Sequence, residues 1–178
     1  MKEFIETLLQ AGAYKAAVIK TSQIPFDKTL RDYCAMNYCG QYGKNWACPP
    51  CVGEPDELIE RAKKYRYALV FQTVSELEDS FDFEGMQAAS NRHAKLSETF
   101  RGIVAENTLE YLELTAGGCN ICKQCAKLHD EPCRFPEKAI SSLEAYCMQV
   151  SQLAEVCGMK YINGKDTVTY FGAYLYNK

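Results

Sequence analysis

Three cysteines at i, i+3 and i+6, in the segment Gly117-Gly118-Cys119-Asn-Ile-Cys122-Lys-Gln-Cys125, constrain this chain more than any other feature. Thiols this close wrap one compact object. A fourth, Cys133, follows after seven intervening residues, with Pro136 three beyond it. An iron–sulfur cube takes one cysteine at each iron, and ferredoxin-type sequences accordingly use C-x2-C-x2-C with a remote fourth Cys. Zinc, a single tetrahedral ion, is more often met by two C-x2-C pairs across a longer spacer. The triplet therefore points to a [4Fe-4S] cluster ahead of zinc. Cys133 either closes this site through its own short loop or serves a second cluster, as the fourth Cys of a ferredoxin run can. Gly117 and Gly118 let the backbone approach sulfur and aim N–H groups at it, though a plain turn leaving a strand explains them equally well. Lys123, Lys127, Arg134 and Lys138 either offset the charge of such a centre, dock an acidic partner, or form an ordinary solvated loop.

A second block, Cys34-x4-Cys39-x8-Cys48-x2-Cys51, is looser and carries Tyr38, Tyr42 and Trp46 among its glycines. Aromatic residues beside thiolates exclude water and tune a cluster's potential. Pro49 and Pro50 hold Cys48 and Cys51 in an extended turn. Another [4Fe-4S] cluster is the first expectation here, and a zinc site the second, because a C-x2-C pair beside a C-x4-C pair suits that ion too. Reduced, redox-sensing thiols are a further alternative, although the thioredoxin βαβ setting is absent. Cys147 and Cys157 fall on the apolar side of an expected helix and read as small buried hydrophobes. His129, between Cys125 and Cys133, reads as a surface histidine, since the block already supplies four thiolates; His93 reads as structural.

Composition removes the competing explanations for ten cysteines. At 178 residues and 47% hydrophobic, the chain is expected to form one domain, residues 1–178, able to bury a core without metal or disulfide help. A formal net charge of -3 with interspersed signs gives no basic field for nucleic acid or an anionic membrane surface. No secretory signal and no apolar run of membrane-spanning length is present. The expectation is a soluble, cytoplasmic protein, where clustered cysteine is metal-binding or redox-active and structural disulfides are not formed.

Hydrophobic periodicity predicts helices at Phe4–Ala11, from Asp56 as cap towards Arg66, over Glu84–Leu109 with a break near Gly102, and from Ser141 or Ser142 to Gly158. Strands are predicted at Ala16–Lys20, Tyr67–Val74, Glu110–Thr115 and Thr167–Tyr176. Ser22–Pro55 reads as irregular, and a segment that long is usually functional. The fold class expected is α+β or α/β: a single sandwich of a roughly four-stranded sheet with packed helices, from which two cysteine-rich loops protrude.

The segments CGQYGKNWACPPC, GGCNICKQC, PCRFPEKAISSLEAY and the final FGAYLY, in this order over most of the chain, resemble DUF2284, a family of predicted metal-binding proteins of bacteria and archaea. The resemblance implies a cysteine-bound centre, iron–sulfur in character, at Cys119, Cys122, Cys125 and Cys133. In the first block it supports Cys34, Cys39 and Cys48 more than Cys51, leaving the fourth ligand open. No dinucleotide fingerprint, Walker run or nucleophile elbow is present. An electron carrier or accessory protein serving a redox partner is therefore expected ahead of an enzyme. The alternatives are a zinc-stabilised scaffold and an iron–sulfur enzyme with an open iron site.

Overall fold

A computed structural model describes residues 2–107 and 110–177. Met1 and Lys178, which bound the expected domain, and Thr108 and Leu109, which close the expected long helix, lie outside the described residues. In chain order the elements are α1 (Lys2–Gln10), β1 (Lys15–Lys20), α2 (Leu30–Ala35), α3 (Pro55–Lys63), β2 (Tyr67–Glu76), α4 (Phe83–Glu106), β3 (Tyr111–Thr115), β4 (Ser141–Ser142), α5 (Val150–Val156) and β5 (Thr167–Tyr176). The fold is α+β. Its open, mixed sheet runs β1-β2-β5-β3-β4, antiparallel except for the parallel β3–β4 pair.

Both faces of the sheet are covered, which explains why β2 reads as an almost unbroken apolar run rather than an alternating one. On one face Leu69, Phe71, Tyr174 and Tyr176 pack against Leu8 of α1 and Leu96, Phe100 and Val104 of α4. On the other, Val70, Leu114, Ala173 and Leu175 meet Leu58 and Ala62 of α3 and Val150, Leu153 and Ala154 of α5. No helix among the described residues is long and apolar enough to cross a membrane.

Four local expectations are corrected. The sheet has a fifth strand, β4, in place of the start of the helix expected from Ser141. The apolar spacing from Leu143 to Cys157 is real, with Leu143, Tyr146, Cys147 and Met148 all buried. The chain cannot stay helical there, because Cys147 takes a left-handed φ of +61° and its carbonyl accepts from Asp27 N–H at 2.7 Å. The Gln149 N–H in turn reaches Pro25 O at 2.9 Å, so this stretch pairs with the first cysteine loop, and α5 begins only at Val150. Asp56 is not a cap: α3 starts with Pro55 at its first position, and Asp56 and Glu57 occupy its first turn, where carboxylates suit the helix dipole. The long helix α4 runs unbroken through Gly102 and is capped by Asp82, whose side chain accepts from Gly85 N–H at 2.8 Å. The Ser22–Pro55 segment is mostly loop but contains α2.

Candidate metal centre

The second cysteine block is an excursion between two strands that lie side by side. β3 and β4 pair as Leu114↔Ser141 and Thr115↔Ser142, and Leu143 N–H adds a bond to Thr115 O at 3.2 Å. Everything from Ala116 to Ile140 is thus a loop whose two ends are fixed on the sheet. Gly117 leaves the strand with φ +78°, a turn that suits glycine. Cys125 precedes a short 3-10 turn, Ala126–His129, which Asp130 ends in the left-handed conformation. Cys119, Cys122, Cys125 and Cys133 line one narrow crevice, with Trp46, Arg134 and Phe135 as further walls. The loop's own hydrogen bonding is sparse: among the described residues, no backbone N–H from Gly117 to Cys125 donates to a backbone carbonyl outside the strand ladders. His129 is exposed and does not line the crevice.

The first block packs against this loop, with Asn45, Trp46 and Ala47 in the wall of the same crevice. Arg31 anchors α2 by donating to Ala145 O and Gly53 O, both at 3.0 Å. Cys34 sits in the last turn of α2 and Cys39 is exposed in the turn that follows. Asn37, with φ +56°, shapes that turn and accepts from Tyr42 N–H at 3.0 Å. Cys48 and Cys51 flank the Pro49–Pro50 pair, whose peptide bond is cis.

Contacts between the blocks are direct. The buried Asn45 donates from Nδ2 to Cys119 O at 2.9 Å, and Trp46 Nε1 donates to Glu131 O at 2.9 Å. Lys127 lies 5.0 Å from the centre of the Trp46 ring and pairs with Asp130 at 2.5 Å. Arg134 donates to Gln124 O at 3.1 Å, while Lys123 and Lys138 are exposed.

All ten cysteines are free. Burial pushes the Cys48 thiol up to about 11, and the neighbouring Cys39, Cys34, Cys119 and Cys125 add to the shift. Cys48 therefore stands in electrostatic range of both blocks. Asp130 raises the pKa of Lys127, mainly through their hydrogen bond. Cys147 is fully buried, and Cys157 is half-buried with its thiol pushed up to about 11 by burial. Both behave as core residues. Among the described residues, no three Cys, His, Asp or Glu side chains form a group that would hold one metal ion. A tetrahedral zinc with four bonds of 2.3 Å needs its sulfurs about 3.8 Å apart. A cube, taking one thiolate per iron, asks for a wider setting.

Behind the second block, between α4 and β3, lies a cleft of about 670 Å³ that has Cys119 in its wall. Its floor holds a buried carboxylate that the sequence reading passed over. Glu113 accepts from Arg101 Nε at 2.6 Å, from Ser97 Oγ at 2.8 Å and from Tyr174 Oη at 3.0 Å. The lone acid inside the apolar strand Tyr-Leu-Glu-Leu-Thr was its signal. His93 also lines the cleft, 2% exposed, with Nδ1 bonded to Thr73 Oγ1 at 2.9 Å and Nε2 without a partner among the described residues. Burial holds its pKa down to about 4, so the ring is neutral at pH 7. Because the folded value lies below the ordinary 6.5, the unfolded chain binds the extra proton between those limits, and stability falls as pH drops from about 6.5 to about 4. Urea midpoints measured across that window are expected to fall more steeply for the native protein than for His93→Gln; parallel curves would contradict the assignment.

A family model described as "Predicted metal-binding protein (DUF2284)" matches residues 17–176. Comparison with curated proteins and with solved structures gives no significant match. The chain belongs to the DUF2284 family, and it is a cysteine-rich member of a predicted metal-binding group.

Proposed function

We propose that this member of the family is an iron–sulfur protein in which Cys119, Cys122, Cys125 and Cys133 hold one [4Fe-4S] cluster, and that it passes electrons to a partner enzyme. The observation that carries the reading is the crevice lined by these four free cysteines, on a loop whose N–H groups from Gly117 to Cys125 find no backbone acceptor among the described residues. N–H groups directed at sulfur stabilise the reduced, more negative state and so raise the potential. Arg134 in the crevice wall works in the same direction. When bound, the cluster supplies a one-electron couple.

Cys34, Cys39 and Cys48 are the core of a second centre, with Cys51 as its candidate fourth ligand and zinc as the alternative occupant. In the same segment, Tyr33, Met36 and Tyr38 are 63%, 55% and 89% exposed and Cys39 is exposed, and apolar surface of this kind supports docking of another protein. Ten free cysteines support a reducing, cytoplasmic setting as part of this reading.

Reduction of anaerobically purified protein with dithionite tests the reading. Broad visible absorbance that bleaches, together with an EPR signal from a half-integer spin, is the expected result. A colourless protein that unfolds when zinc is chelated would instead establish the scaffold alternative. The α4–β3 cleft favours a second reading, an enzyme that holds a small molecule beside Cys119. It predicts an EPR signal altered by that molecule.

A further inference from the structure

We propose that the two cysteine blocks form one coupled two-centre unit, with Asn45 and Gly118 as the positioning residues that fix the separation of the centres. This rests on the reading that both blocks carry iron–sulfur clusters.

Asn45 belongs to the first block by sequence but bonds to both. It is 3% exposed; its Oδ1 accepts from Ala47 N–H at 3.0 Å and its Nδ2 donates to Cys119 O at 2.9 Å. One bond shapes the turn that carries Cys48, and the other seizes the backbone of a second-block ligand. Among side chains of this size, only an amide offers acceptor and donor together in that geometry. Gly118 meets it from the other side. A Cβ at this position would stand 3.0 Å from Cys48 Sγ and 3.4 Å from Asn45 Nδ2. Its backbone is not in the left-handed region, unlike that of Gly117, so glycine is needed here for closeness and not for conformation. A first-block sulfur therefore borders the space that a side chain beside Cys119 would occupy. Trp46 and Lys127 brace the same junction, through the Trp46 bond to Glu131 and the cation over its ring.

Two reduced clusters held this closely carry unpaired spins that feel each other. The experiment is EPR of anaerobic protein reconstituted with ferrous iron and sulfide, recorded after partial and after full reduction. About eight irons per chain are expected, with a fully reduced spectrum broadened and split beyond the sum of its parts. Asn45→Asp is nearly isosteric: it keeps the acceptor for Ala47 and removes the donor to Cys119. It is expected to keep its iron while the splitting weakens roughly twofold or more, since outer partners of ligands set their placement. Gly118→Ala is expected to change the splitting as well, by pushing Cys48 away.

Additive spectra at eight irons would overturn the coupling and leave the two-cluster reading standing. About four irons per chain would overturn both. Splitting unchanged in Asn45→Asp and Gly118→Ala, at full iron content, would overturn the roles given to those residues.

Discussion

Cys122→Ala is expected to strip the second block of its centre, lowering iron by about four per chain and removing the matching sulfide. Cys122 shares the crevice with Cys119, Cys125 and Cys133, and each iron of a cube depends on its own thiolate. The fold does not depend on this loop in the same way. Both apolar cores lie on the sheet faces, away from residues 116–140, so the variant is expected to keep its far-ultraviolet circular dichroism. Cys157→Ala is the control. That thiol packs against the core beside α5 and burial keeps it protonated, so its loss should leave the iron content unchanged. Cys133→Ala decides the point left open by spacing. If Cys133 closes its own block's site, the variant matches Cys122→Ala. If iron stays at the native level in Cys122→Ala, the ligand set is wrong.

Gly172→Ala is expected to destabilise the fold by about 3 kcal/mol, the upper part of the usual range for overpacking. Gly172 on β5 pairs with Phe71 on β2. A Cβ there would overlap the ring, with Phe71 Cε1 only 2.6 Å away, well inside van der Waals contact. The ring cannot step aside. It is fully buried and lies between the His93 ring, 5.2 Å away, and the Tyr174 ring, 6.1 Å away. The sign is diagnostic, because glycine to alanine in a compatible strand position stabilises by restricting the unfolded chain. Phe71→Leu in the same chain should recover part of the loss, a coupling that equilibrium urea unfolding of the four-member cycle measures. A cost below about 1 kcal/mol for Gly172→Ala would show that the sheet adapts and that the packing account is wrong.

Much of this architecture was legible from local pattern. The strands Tyr67–Val74 and Thr167–Tyr176 were plain because β-branched and aromatic runs bounded by polar residues have few other uses. The stretch from Ser141 to Gln149 was misread, because its apolar spacing matches a helix while long-range bonds to Pro25 and Asp27 decide its shape. Periodicity registers which residues are buried and is blind to what buries them. Likewise the cysteine spacing singled out the Cys119 run, but not that Asn45 and Gly118 press the other block against it. Asn45 and Gly118 resemble ordinary turn residues in the sequence. Their role exists only once two segments more than seventy residues apart have been brought together by the sheet and the Arg31 clamp.

The central claim is that the second block holds an iron–sulfur cluster. Its most direct test is the content of iron, zinc and acid-labile sulfide per chain, measured on protein purified without exposure to air. Iron and sulfide in equal amounts, at about four or about eight per chain, with zinc absent, is the predicted result. Stoichiometric zinc without sulfide would contradict it.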